Sequence, residues 1–298
     1  MKKFKFKKID AFATKNSTGN PAGCINLESK NNISFSEMQR IAKELKGFVN
    51  EVGYIYKIGR EEYNLKYYSS EREVDFCGHA TIAIMYDLIK NDNKLINTNL
   101  LTIKTNKGRL TVENRINEED AVFIMSPLPE NKEKISSINK IAAALKIDES
   151  EINNKLPIKI INAGLTTLII PIKSLDNILN IAPNLAELKS FCQNVDIDII
   201  ELFTSEVSNK NSDFRVRVFA PTFGYLEDPA TGSGNSAFGY YLLQEKMWNK
   251  ETIVIEQNAQ HDKYNVIKLQ NKKDSNGTDR VLFGGAAIKR IDGEYTLH

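Results

Sequence analysis

Apolar residues along this chain alternate between a two-residue and a 3.6-residue period, and the order of the two kinds of segment is nearly the same in both halves. Phe4, Phe6 and the stretch from Ile9 to Ala13 predict a first strand, which Gly19-Asn20-Pro21 breaks and Ala22 to Leu27 resumes. Ser34-Phe35-Ser36-Glu37 has the capping-box spacing, and Met38, Ile41, Ala42 and Leu45 follow on one helical face. Val49 to Ile58 and Tyr63 to Tyr68 predict two further strands, the first carrying Glu51. A helix apolar all round follows, Ala80 to Ile89, then strands at Leu100 to Thr105, Arg109 to Glu113 and Val122 to Met125.

Past Ser126-Pro127-Leu128-Pro129, the best boundary, a second capped helix with Ile138, Ile141, Ala142 and Leu145 on one face opens the second half. Ile158 to Ile170 is strand material interrupted at Asn162-Ala163-Gly164. Leu185, Leu188 and Cys192 mark a helix. Strands are predicted at Ile199 to Thr204 and at Phe214 to Phe219, the latter with Arg215 and Arg217 alternating against Val216 and Val218. A second wholly apolar helix runs from Ala237 to Leu243.

The offsets between halves are steady: Leu185 minus Met38 is 147, Phe214 minus Asn64 is 150, and Gly232 minus Gly78 is 154. A duplication accounts for them, with a chance match of two α/β units as the alternative. A helix without a polar face must be enclosed on every side, which a curled sheet achieves. The prediction is a mixed α/β (α+β) chain of two pseudo-symmetric domains, residues 1–126 and 127–298. Each is a barrel-like curled sheet around one central helix, and the tail after about residue 285 is expected to pack back on the first domain.

Composition narrows the function. With 41% hydrophobic and 26% charged residues in a 298-residue chain, two cores can form. The net charge of +2 calls for neither a nucleic acid nor an anionic membrane as partner. Cys24, Cys77 and Cys192 form no disulfide framework, which fits a reducing cytoplasm. There is no signal-peptide or membrane-spanning run.

The two apolar helices are preceded by similar stretches, Asp75-Phe76-Cys77-Gly78-His79-Ala80-Thr81 and Glu227-Asp228-Pro229-Ala230-Thr231-Gly232-Ser233-Gly234. A helix start offers unpaired N–H groups and a positive dipole end, so each suits an anion such as a small carboxylate. The second lacks the Gly-Lys-Ser/Thr of a phosphate loop and the third glycine of a dinucleotide fingerprint. No H-E-x-x-H, paired C-x-x-C or G-x-S-x-G points to a metal site or a serine hydrolase, and no metal is expected.

Taken in order, Gly19-Asn20-Pro21-Ala22-Gly23, Asn50-Glu51-Val52-Gly53-Tyr54, the two helix-start motifs and Phe283-Gly284-Gly285-Ala286 resemble the PhzF-like phenazine biosynthesis family, within the diaminopimelate epimerase-like fold. The resemblance implies two similar domains with the active site between them, and a homodimer. It also implies isomerisation of a small carboxylic acid by proton movement, without metal or organic cofactor. Glu51 matches the catalytic glutamate, with burial expected to raise its pKa toward neutrality. The plain alternative is a strand-end surface glutamate.

His79 is expected to stay neutral at its helix start and to orient substrate or shuttle a proton; a buried core histidine is the alternative. Asp228 is expected to hydrogen-bond the substrate or the histidine. Gly78, Gly232, Ser233 and Gly234 would hold a carboxylate, unless the second motif is an ordinary capping loop. Asn20 is expected to reach into the same cleft, or else to serve as a turn residue. Tyr67, Tyr68, Phe223 and Tyr225 are candidate specificity walls. Related epimerases use two cysteines, but here Thr231 stands where the second would be. A cysteine-based racemase is therefore the weaker alternative, Cys77 reads as a packing residue, and a binding protein without turnover also stays open.

Overall fold

The computed structural model describes residues 1–132 and 137–298. Its chain divides into two compact units, 1–125 with 284–298, and 126–283.

In the first unit β1 (Lys2–Ala11) and β2 (Asn20–Asn26) form an antiparallel pair. Helix α1 (Phe35–Glu44) has its capping box in place: Ser34 accepts from the Glu37 amide, and the Glu37 side chain accepts from the Ser34 amide. Strand β3 (Glu51–Lys57) lies parallel to β2 and antiparallel to β4 (Glu62–Ser69), whose far end pairs with the two-residue β5 (Glu73–Val74). Helix α2 (Gly78–Lys90) follows. Then β6 (Leu100–Thr105) pairs parallel with β4, β7 (Gly108–Arg115) antiparallel with β6, and, after the one-turn α3 (Ile116–Glu119), β8 (Ala121–Met125) antiparallel with β7.

The second unit repeats these pairings. A short β9 (Glu130–Lys132) edges β10 (Lys159–Asn162), after which β10 is antiparallel to β11 (Thr166–Pro171). Between β9 and β10, helix α4 (Ile138–Leu145) buries Ile141, Ala142 and Leu145 of the predicted face but leaves Ile138 exposed, and Ser137 does not cap it; its hydroxyl is turned to Asn139 instead. Helices α5 (Leu175–Asn180) and α6 (Leu185–Val195) come next, α6 capped by Asn184. Strand β12 (Ile199–Thr204) is parallel to β11 and antiparallel to β13 (Phe214–Phe219), which pairs with β14 (Glu227–Asp228). After α7 (Gly232–Gln244), β15 (Thr252–Gln257) is parallel to β13 and β16 (Asn265–Lys273) antiparallel to β15, followed by β17 (Asp279–Gly285). The last strand, β18 (Ala287–Leu297), returns to β1 in antiparallel register, Lys2 opposite Leu297.

Strand for strand, the partners and their directions match from β1 to β7 and from β10 to β16, as a duplicated unit requires. Helix α2 packs against β1, β2, β3, β8 and β18, and α7 against β10, β11, β12 and β16. Both helices are buried nearly all round, so each unit is a curled sheet about a central helix. At Gly53 on β3 a side chain would collide with Ile84 Cδ1 of α2, so glycine sets how closely helix and sheet approach.

Although Arg215 and Arg217 alternate with valines along β13, the whole strand is buried. Arg215 is 0% exposed and is held by Glu256 at 2.9 Å and by the carbonyls of Gln260 and His261. Arg217 pairs with Glu227. No helix among the described residues is long and apolar enough to cross a membrane.

Candidate active site

Glu51 is the first residue of β3, set between Ala22 of β2 and Ser69 of β4. Asn50, just before it, donates its backbone N–H to the Pro21 carbonyl and its side-chain amide to Asn20 Oδ1 at 2.8 Å. Asn20, fully buried, is thereby fixed beside the start of β3. Asn50 is a positioning residue that pattern reading did not single out, though it stands inside the quoted motif.

Across from Glu51 is the start of α2. Cys77 is its N-cap in extended conformation and makes no side-chain capping bond. The first turn is held another way: Thr81 Oγ1 donates to the Cys77 carbonyl at 2.7 Å and shares a 2.5 Å hydrogen bond with the Tyr67 hydroxyl. Tyr67 and Tyr68 are thus buried core residues rather than walls of a substrate pocket, while Phe223 and Tyr225 are exposed.

Three reactive side chains meet at this point. His79 Nε2 lies 3.1 Å from Glu51 Oε2, with only 13% and 21% of the two side chains exposed. Cys77 Sγ lies 3.4 Å from His79 Nδ1 and 3.9 Å from Nε2. The ring nitrogen and Glu51 Oε2 are within ion-pair range but not aligned as a hydrogen bond, and Oε2 has no other partner. Their attraction is therefore chiefly one of charge.

The electrostatics reverse both sequence-based expectations. Burial pushes the Glu51 carboxyl up, but the neighbouring His79 and then Cys77 outweigh it and hold the group below its ordinary range. Burial opposes charge on His79, yet Cys77 and Glu51 together raise it well above its ordinary value. Of these two partners Glu51 is the effective one, because burial and the Glu51 charge push the Cys77 thiol up and keep it protonated. Near neutral pH the pair is carboxylate and imidazolium. A helix start favours neutral histidine, but here a carboxylate at contact distance decides the matter.

In the second unit Asp228 is engaged locally: its Oδ2 accepts from Thr231 Oγ1 at 2.7 Å. Gln257 ties the turn together, donating to the Asp228 carbonyl and accepting from the Thr231 amide and from Asn235 Nδ2. Asn265 adds a bond to the Pro229 carbonyl. Gln257 and Asn265 carry no motif signal and became visible only through these contacts. Thr231, the N-cap of α7, gives no side-chain acceptor to the first-turn amides of Gly232, Ser233 and Gly234. Gly78 opens α2 in the same uncapped way.

Beneath the first turn of α7 is an acid the sequence reading passed over. Glu201 of β12 is 0% exposed, and neither carboxyl oxygen has a hydrogen-bond partner. A Cβ at Gly234 would lie 2.7 Å from its Oε2, so glycine makes the space for it. Glu201 does not repeat Glu51. Gly53 pairs with Tyr67 and Tyr67 with Val74; Glu201 pairs with Val218 and Val218 with Asp228. Glu201 therefore corresponds to Gly53, and Ile199 to Glu51.

Comparison with known proteins places the chain. It is 28% identical to an uncharacterized isomerase of Clostridium acetobutylicum, with 100% of each chain covered. A crystal structure of a PhzF-family phenazine biosynthesis protein from Bacillus anthracis superposes with a TM-score of 0.87 at 25% identity, again over 100% of each chain. A hydroxyproline epimerase from Agrobacterium vitis, with bound trans-4-hydroxy-L-proline, shares the fold alone: TM-score 0.58 and 7% identity over 99% of this chain and 91% of that one. Residues 9–293 match the family of phenazine biosynthesis-like proteins, to which this chain belongs.

Proposed function

We propose that the chain is an isomerase that moves a proton on a small carboxylic acid without a cofactor, with Glu51 as the base. The observation that carries this reading is the buried Glu51–His79 ion pair at the start of α2. Glu51 is held in its proton-accepting form, and the charged partner beside it can steady the negative charge that develops when a C–H bond is broken. Such a carboxylate is a mild base. Its substrate must carry a hydrogen already acidified by an adjacent carbonyl or alkene. The abstracted proton rests on Glu51 and returns from it, or from His79, to another carbon or to the opposite face, so no redox partner is needed.

The substrate carboxylate suits an uncapped helix start, and the first turn of α2, in the same unit as Glu51, offers one at Gly78. In the second unit Asp228 holds Thr231 and the turn that leads into α7. The name of the Clostridium relative agrees with an isomerase. Three free cysteines, all buried, agree with a reducing cytoplasm.

The test is a library of small carboxylic acids incubated with the protein in deuterated water and read by NMR. Exchange or double-bond migration is expected for some of them. Glu51→Gln should stop it while the circular dichroism spectrum stays unchanged. Full exchange in that variant would refute Glu51 as the base.

A further inference from the structure

The same three side chains have a second capacity. Glu51 comes from β3, and Cys77 and His79 from the start of α2, so no spacing along the chain announces them as a set. Yet one donor atom from each lies within 4.8 Å of the others. In a tetrahedral zinc site with bonds of about 2.0 Å to N or O and 2.3 Å to S, donor atoms stand roughly 3.3–3.6 Å apart. The separations here, 3.1 Å from Nε2 to Oε2 and 3.4–3.9 Å from Sγ to the ring nitrogens, bracket that edge. The carboxylate donor, Glu51 Oε2, is buried and has no hydrogen-bond partner. The Tyr67–Thr81–Cys77 chain of hydrogen bonds already fixes the turn that presents two of the donors.

We propose that Glu51, Cys77 and His79 form a site for a thiophilic divalent cation of the zinc type, which occupies the base and silences it. Binding displaces the protons of the Cys77 thiol and the His79 ring to solvent. The ligand set is then thiolate, neutral imidazole and carboxylate, with a fourth position open. Magnesium and calcium, which want oxygen donors, do not fit. The positive end of α2 repels a cation, so the thiolate charge is indispensable, and Cys77 becomes the decisive residue.

The site is tested by binding, apart from whether the chain turns over any substrate. Full-length protein, freed of metal by chelation, is titrated with Co2+ and followed in the near ultraviolet. One equivalent should give a thiolate-to-cobalt charge-transfer band, removed by added Zn2+ and untouched by Mg2+. Because groups that merely support a metal ligand are worth about 10–100-fold in affinity, loss of a ligand in Cys77→Ser should weaken Zn2+ binding by roughly 100-fold and abolish the band. His79→Gln should weaken it comparably, and Cys24→Ser should leave it intact. Absence of the band in the unmodified protein, or its persistence in Cys77→Ser, overturns the proposal.

Discussion

Glu201→Gln is the substitution whose effect can be worked out most directly. The carboxyl is fully buried, has no hydrogen-bond partner, and is held well above its ordinary 4.5 by desolvation alone. In the folded state it keeps its proton; in the unfolded chain it releases it near pH 4.5. Folding therefore takes up a proton above that pH. Stability is complete below it and declines as pH rises toward the folded-state value. Each pH unit in which only the folded carboxyl is protonated costs about 1.4 kcal/mol. Against a total of about 5–15 kcal/mol that is a large share. Glutamine has the same size and no charge to lose, so the variant should match the parent near pH 4 and exceed it increasingly above pH 5. Urea denaturation of both proteins at several pH values reads the difference, in which all other titrating groups cancel. A difference that does not change with pH would refute the reasoning. The proton also matters locally, since an ionised Glu201 would place an internal anion under the uncapped first turn of α7.

Other expectations follow from the same geometry. Glu51 is ionised at all pH values above its lowered pKa and His79 is protonated at all values below its raised one. With chelator present, kcat/KM should therefore be flat through neutrality, falling on the acid side only below the ordinary carboxylate range and on the alkaline side only well above the ordinary histidine value; a profile peaked sharply at one pH would contradict the ion pair. In the exchange assay Cys77→Ser should retain activity, since the counterpart of Cys77 is Thr231 and no second thiol stands ready. Arg215→Met leaves Glu256 with two backbone amides but no cation, and should cost about 3 kcal/mol by denaturation, whereas Glu294→Gln at the exposed Lys3 pair should cost less than about 1 kcal/mol. Gly53→Ala drives a methyl into Ile84 and should cost about 1–3 kcal/mol, with partial recovery in the Gly53→Ala/Ile84→Val double variant.

The parts of this molecule legible in its sequence are those governed by local rules. The α1 capping box needs only Ser34 and Glu37 three residues apart, and α2 and α7 reveal their burial by lacking any polar face. What long-range pairing decides was not legible. Glu51 and His79 meet because β3 runs past the start of α2, and nothing 28 positions apart in sequence says so. Arg215 looks solvent-facing until β15 brings Glu256 beside it. Four strands after α7 went unread, in part because β18 is mostly polar and exposed and is held by its ladder with β1 rather than by an apolar face. Glu201 was passed over because a strand buried on both faces has no alternation to mark an inward acid as unusual.

The return of β18 to β1 also sets an order of events during synthesis. The first unit contains residues 1–125 but also needs 287–297, and the 158 residues from 126 to 283 lie between (283 minus 125). At roughly 5–20 residues per second, β1 waits on the order of a further ten to thirty seconds for its partner after residue 125 has been made. Through that interval its outer edge is an open template for another nascent chain, and the lysines at positions 3, 5 and 7 are well placed to discourage such pairing. The half that emerges first is thus the half that finishes last, and the Glu51 side of the molecule matures only once the final strand is free to close it.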